Sequence, residues 1–302
     1  MRRSPELTVA WLVTLWLVNV VLFVLVTVVA VRTVRGQTLD TVALYGNSLG
    51  RRTVDGPLDA ALGAISIASI ALVLIVIGGV ALARRRLPLA VMAAAIVVGA
   101  NLTTWVLKRA IDRPWLGVDQ ERFHAGNSLP SGHATAAAAF AIGLTLVVPP
   151  RVRGVVALLG ATYAAVVGVA TLSSGWHRPS DVVAAYFVVG GWAALAGLVL
   201  VLIQRRSAVV TRAERAEWSL AASLAFGSFL AVIGLAVLIY VAQQMSNPVP
   251  LMPNSLLRLG YLGSALTVTG AAYLMMAQIL VGVHRVVPHS ANGSAGAPAP
   301  AA

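Results

Sequence analysis

Cysteine is absent from the 302-residue chain, so neither a disulfide nor a thiolate metal site is available to it. Charge is scarce too. Only 11% of residues are Asp, Glu, Lys or Arg, where a soluble domain carries about a quarter. Lysine occurs once, at Lys108. Acids number 10 against 22 basic residues, for a net charge of +12. What fills the chain instead is apolar: 59% of residues are hydrophobic and the mean hydropathy is +0.86. Such a chain cannot hide its apolar surface in a water-soluble core, so lipid must serve as its solvent. The basic excess does not point to nucleic acid, because the arginines sit in short clusters between apolar runs, as topology signals do. The Ala/Val/Arg-rich composition is typical of a GC-rich bacterial genome, which makes a bacterial plasma membrane the expected location.

A bilayer span needs about 20 predominantly apolar residues. By that measure the runs at 8–31, 60–83, 87–108, 133–149, 154–172, 181–203, 218–241 and 261–283 are candidate spans. The expected fold is an all-α polytopic integral membrane protein of about eight transmembrane helices. The first run follows Arg2 and Arg3 like a signal peptide, but it is too long and has no small-residue cleavage site, so it reads as an anchor. Arg2 and Arg3, Arg84 to Arg86, Arg151 and Arg153, and Arg205, Arg206, Arg212 and Arg215 fall on one side. The positive-inside rule makes that side, and both termini, cytoplasmic. Segments 32–59, 109–132, 173–180 and 242–260 then face outward, although Arg32, Arg35, Arg51 and Arg52 are among them. Gly160, Ala164 and Gly168 recur every four residues, a close-packing face. The tail after Pro288 is Ala, Gly, Pro and Ser, a disordered composition. The expected organisation is a six-helix membrane domain over 1–203, two further helices over 204–284, and a cytoplasmic tail over 285–302.

Polar residues able to do chemistry gather in three segments at the outward ends of spans. Lys108-Arg109-Ala110-Ile111-Asp112-Arg113-Pro114 closes the third. Lys108 lies at the apolar margin, where an ammonium needs a partner and a phosphate is a good one; Arg109 reads as a headgroup anchor. Pro130-Ser131-Gly132-His133 opens the fourth. Its helix start is either a plain cap or an anion site, in which backbone N–H groups and the Ser131 hydroxyl bind, Gly132 lets the anion approach, and His133 stands beside it. Gly175-Trp176-His177-Arg178-Pro179-Ser180-Asp181 opens the sixth. The four-residue spacing lets Asp181 either cap a helix with a surface histidine or hold one ring nitrogen of His177 and leave the other free to attack. The outward acids Asp40, Asp55, Asp112, Asp119 and Glu121 lie mostly apart in sequence. No divalent metal site is therefore expected, since magnesium sites draw on carboxylates, and lysine and arginine would neutralise an anion instead.

These segments resemble the phosphatidic acid phosphatase type 2 superfamily of membrane lipid phosphatases, which shares its site with the vanadium haloperoxidases. Its ordered motifs are K-x6-R-P, P-S-G-H and S-R-x5-H-x3-D. The resemblance is carried best by Pro130 to His133 and by His177 with Asp181, and it spans about residues 60–203, a six-helix core when the first span is included. It implies that His177 attacks phosphorus to give a phosphohistidine and that Asp181 orients it. His133 would protonate the leaving oxygen and then activate water, while Lys108, Ser131 and Gly132 hold phosphoryl oxygens. No cofactor is implied. Three positions depart from the pattern: Trp115 and Thr171 stand where the family has arginine, and Ala170 stands in the serine place. Arg113, two residues early, and Arg178, beside the nucleophile, are the candidate replacements. Each uncompensated contact would cost on the order of 2–4 kcal/mol in the transition state.

The resulting expectation is metal-independent dephosphorylation of a lipid phosphate or diphosphate at the extracytoplasmic face. Polyprenyl phosphates rank first, and phosphatidic acid and phosphatidylglycerol phosphate follow. Substrate and membrane lipids are the expected partners, without nucleic acid; the oligomeric state is left open. The alternatives are a phosphotransferase using the same phosphohistidine, which an acceptor pocket at 32–59 or 242–260 would favour, and a non-catalytic lipid-binding or transport protein on the same scaffold.

Overall fold

The computed structural model describes residues 5–48, 67–85, 87–118, 126–204, 217–245 and 249–286. Several residues weighed above lie outside them: Arg2, Arg3, Arg51, Arg52, Asp55, Arg86, Asp119, Glu121, Arg205, Arg206, Arg212, Arg215, the start of the second run and the tail after Pro288. The regular structure among the described residues is helical. In chain order the helices among the described residues are α1 (Pro5–Arg32), α2 (Val34–Ser48), α3 (Ile67–Ala83), α4 (Leu87–Ala110), α5 (Gly132–Val147), α6 (Pro150–Ser173), α7 (Pro179–Gln204), α8 (Glu217–Gln244) and α9 (Asn254–Val286), with a 3-10 turn at Val249–Leu251. An all-helical answer is what lipid demands, because a helix satisfies its own backbone polar groups.

Among the described residues, α1, α4, α6, α7, α8 and α9 are long and apolar enough to cross a bilayer. The other two apolar runs give shorter helices there. α5 has 16 residues, about 24 Å at 1.5 Å per residue. Its ends are set by Ser131, whose hydroxyl caps the Ala134 N–H, and by the Pro149-Pro150 pair.

α4 to α7 form the packed centre. α5 lies against α4, α6 and α7, and α1 covers α7. Ala134, Ala138, Ala141, Ala157, Ala161 and Ala164 are all buried there. Small side chains let membrane helices approach closely where no hydrophobic drive exists. The expected packing face on α6 is present. Gly160 lies against Ala141, and Gly168 against Val182 and Tyr186. The Tyr186 hydroxyl donates to the Ala164 carbonyl at 2.7 Å. By contrast, Leu17, Val21 and Leu25 on α1 and Phe229, Val232 and Ile239 on α8 point outward, as lipid-facing side chains do.

One expectation changes. Segment 32–59 is expected as an outward loop, yet residues 34–48 form α2, which packs on α9 and α1. Gln37, Asp40, Thr41, Val42 and Ala43 are buried. Two glycines permit the contact: Gly46 lies directly against the Leu257 carbonyl and Gly260 against Val42. Segment 242–260 behaves similarly. α9 already begins at Asn254, and Val249, Met252, Leu256 and Leu257 join Val42 and Val241 in a small apolar cluster. Neither segment is apolar enough to read as a span, so hydropathy gave no sign of their order.

Candidate functional site

The site forms where the end of α4 meets the starts of α5 and α7. Two links, one between backbone groups and one from a side-chain amide, draw these ends together. The Ser131 N–H donates to the Asp181 carbonyl at 2.9 Å, tying the start of α5 to the first turn of α7. The Asn127 amide donates to the Leu129 carbonyl at 2.7 Å and to the Lys108 carbonyl at 3.4 Å, tying the approach to α5 to the end of α4. Before α7 the chain turns through Gly175, whose φ of +66° suits glycine. The Trp176 and His177 N–H groups both donate to the Thr171 carbonyl at 3.0 and 3.2 Å, which fixes the turn carrying His177 onto the end of α6.

His177 is buried, and its Nδ1 lies 3.2 Å from Asp181 Oδ2. With Nδ1 engaged by the carboxylate, Nε2 is the nitrogen left to attack. Asp181 Oδ2 also accepts from the Arg178 backbone N–H at 2.9 Å and from the Ser128 hydroxyl at 2.6 Å. One carboxylate oxygen therefore takes all three contacts, and the other, Oδ1, is buried without a hydrogen-bond partner among the described residues. The His133 ring stands 6.1 Å from the His177 ring and 5.3 Å from that of Trp176, centre to centre. Both histidines thus line one space at one end of the bundle.

Around that space are the groups able to receive an anion. Ser131 caps α5 through its oxygen, which leaves its hydroxyl hydrogen to donate elsewhere. Open space surrounds the Gly132 α-carbon where a side chain would stand, so an anion can reach the first N–H groups of α5. Lys108 is half-buried and interacts electrostatically with Asp181, while His133 does so with His177 and Lys108. Arg109, next to Lys108, is exposed and stacks its guanidinium 3.8 Å over the Trp105 ring, the posture of an outward anchor.

The departures from the motif pattern have different structural outcomes. Trp115 is exposed, and Thr171 is fully buried with its hydroxyl donating to the Gly168 carbonyl. Arg178 is buried, and one of its guanidinium nitrogens donates to Ser128 Oγ at 3.1 Å. Arg113 turns toward α2, with one nitrogen 3.4 Å from Asp40 Oδ2.

Asp40 was missed in this role. It was read as one of several scattered outward acids, but α2 brings it to the start of α7, near Asp181. Burial raises its pKa above the ordinary value, against the opposing pull of Arg113 and of the Ser180 hydroxyl. Ser128 and Asn127 were missed as well. Their one signal is position, two polar residues separated only by Leu129 from Pro130-Ser131-Gly132-His133. Among the described residues no three His, Asp or Glu side chains group as metal ligands would; the carboxylates of Asp40 and Asp181 are engaged by serine, arginine and histidine.

The family model described as the PAP2 superfamily matches residues 86–207. That stretch runs from α4 through α7 and contains every motif segment. No curated protein and no solved structure matches the chain.

Proposed function

We propose, from the match of residues 86–207 to the PAP2 superfamily, whose members are phosphatases, that this chain dephosphorylates a lipid phosphate or diphosphate through a phosphohistidine. The observation that carries the proposal is the His177–Asp181 pair at 3.2 Å facing His133 across 6.1 Å. His177 Nε2 attacks phosphorus, and the bond from phosphorus to the leaving oxygen breaks. His133 gives that oxygen its proton, so the lipid leaves as an alcohol or, from a diphosphate, as a monophosphate. A water then attacks the phosphohistidine, His133 takes the water's proton, and inorganic phosphate departs. Near-attack contacts of about 3 Å suit a phosphoryl group seated between the two rings. Lys108, Ser131, Gly132, Arg113 and Arg178 are the proposed phosphate-binding residues, stabilising the charge that develops on the equatorial oxygens.

A lipid substrate is supported by the setting. A mostly apolar groove of about 300 Å³ lies between α1, α4 and α7, lined by Trp16, Phe23, Thr103, Leu107, Phe187 and Trp192 among others. A polyprenyl phosphate in the outer leaflet of a bacterial membrane, with both chain termini cytoplasmic, is the substrate setting we favour. In this reading 1–203 is the catalytic unit and 204–284 is added to it.

The test is phosphate release by the purified full chain in detergent with EDTA. The panel would hold polyprenyl diphosphate, polyprenyl phosphate, phosphatidic acid and phosphatidylglycerol phosphate, with His177→Ala as the blank. Release above the blank is expected; none from any of the four would sink the hydrolase reading. A phosphotransferase is favoured by one observation, a cleft of about 520 Å³ between α2 and α8 with Arg35, Thr38 and Gln243 in its lining. Its mark would be a trapped phosphohistidine that discharges to an added acceptor faster than to water.

A further inference from the structure

α2 lies outside residues 86–207, yet it sets a buried carboxylate between two of the motif segments. Asp40 Oδ2 accepts from the Ser180 hydroxyl at 2.6 Å and lies 3.4 Å from an Arg113 guanidinium nitrogen. Asp40 Oδ1 accepts from the Ser180 backbone N–H at 3.3 Å. Ser180 directly precedes Asp181, and Arg113 belongs to the shifted Arg-Pro pair. One side chain therefore clamps the loop after α4 to the start of α7. The other terminal nitrogen of Arg113, NH1, is buried and has no hydrogen-bond partner among the described residues. A buried guanidinium nitrogen without an acceptor is costly, and a phosphoryl oxygen is the acceptor it suits best, because the planar fork lets one arm be held while the other binds.

Resting on the phosphatase reading above, we propose that Asp40 is a positioning residue for phosphoryl transfer: it fixes Arg113 against the start of α7 so that NH1 meets a phosphoryl oxygen. Arg113 thereby takes over the work of the arginine whose place Trp115 holds. Asp40 itself does not touch the substrate. Without it, the Arg113 guanidinium keeps only a 3.5 Å contact to the Ala30 carbonyl, and the helix start that carries Asp181 loses its second tether.

The experiment is a double-mutant cycle on the full chain in detergent, using Asp40→Asn, Arg113→Ala and the pair. It has two readouts, steady-state phosphate release and the melting-temperature shift produced by orthovanadate, a mimic of the transferring phosphoryl group. Asp40→Asn should lower kcat by about 10- to 100-fold with little change in KM, and should weaken the orthovanadate shift. In the Arg113→Ala background the same change should cost less than about twofold. Asp40→Glu should recover part of the loss. An equal cost in both backgrounds would overturn the inference, because Asp40 would then act apart from Arg113. If Asp40→Asn does not fold, Asp40→Glu takes its place in the cycle under the same criteria. A wild type that turns over but gives an additive cycle retains the phosphatase reading and removes this one. Coupled orthovanadate binding without turnover does the reverse, and neither turnover nor orthovanadate binding removes both.

Discussion

Two corners of the site use the same device, a buried carboxylate that holds a cationic or protonatable partner, but they draw it from different parts of the chain. In the first, Asp181 holds His177 with help from Ser128 and the Arg178 backbone. All four residues lie inside 86–207, and His177 and Asp181 are one helical turn apart. In the second, Asp40 holds Arg113 and Ser180 across sequence separations of 73 and 140 residues. The first corner is built from nearby residues. The second uses α2, which packs on α9, so a residue outside 86–207 contributes to this corner. A local corner resists change elsewhere in the chain, whereas a corner built across the fold is exposed to it.

The largest effect should come from the local corner. His177→Ala removes the attacking nitrogen and should reduce phosphate release to the blank. Asp181→Asn keeps the shape but loses the charge that orients and stabilises the histidine, and a fall on the order of 10²–10⁴ in kcat is expected. If Asp181→Asn were near wild type, His177 would not be the group that carries out the attack. Arg113→Ala should rank next, at about 10²-fold. Arg109→Ala should stay within about twofold, since its exposed guanidinium stacks outward on Trp105. Equal small effects at the two arginines would mean that Arg113 serves only the fold.

How far each corner was legible follows from the same contrast. Helix type and most helix positions came from hydropathy, because lipid leaves the chain few alternatives. His133, His177, Asp181 and the Ser131-Gly132 helix start came from spacing within short segments, and these residues are indeed brought together at one end of the bundle. Asp40 had no such signal. It sits in a helix too polar to read as a span, and its partners are named only by the tertiary fold. Arg113 was identified as a candidate from its Arg-Pro context, but its engagement with a carboxylate was not, because a lone acid 73 residues away carries no periodicity linking the two. Ser128 falls between the cases, adjacent to a motif but with a role fixed by the position of α7.

Acidity separates the corners in another way. The Asp40 carboxyl is raised above its ordinary value chiefly by burial; Arg113, the Ser180 hydroxyl and Arg178 oppose this, and Asp181 adds to it. The folded chain therefore holds that proton more tightly than the unfolded chain does. The sign for stability follows: Asp40 favours the fold most below the ordinary carboxylate range, and this contribution is lost as pH rises through the raised value. Activity should run the other way, because the ionised carboxylate is the form that grips Arg113. As pH falls through the raised value, kcat/KM should decline along a limb lying above the ordinary carboxylate range. Asp40→Asn should lack that limb at a lower overall rate. A limb that persists unchanged in Asp40→Asn belongs to another group.

The smallest effect tests whether α9 acts on the site through α2. Gly46 has no room for a side chain, since a methyl group would press on the Leu257 backbone carbonyl, and a carbonyl cannot turn aside as a flexible side chain does. Gly46→Ala should therefore separate α2 from α9 slightly and cost about 1–3 kcal/mol, the usual price of overpacking. Gly78→Ala on α3 is the matched control, because nothing lies within 4 Å of the added methyl. There the helix gains about 0.5–1 kcal/mol from the lost backbone freedom of glycine, so the two substitutions should shift the melting temperature in opposite directions. Activity is the sharper reading. If α2 positions Asp40, Gly46→Ala should lower kcat by a few-fold in wild type and by much less in an Arg113→Ala background, since displacing the clamp is immaterial once its cargo is gone. A melting shift with no change in kcat would show that α2 and α9 support the fold without reaching the site.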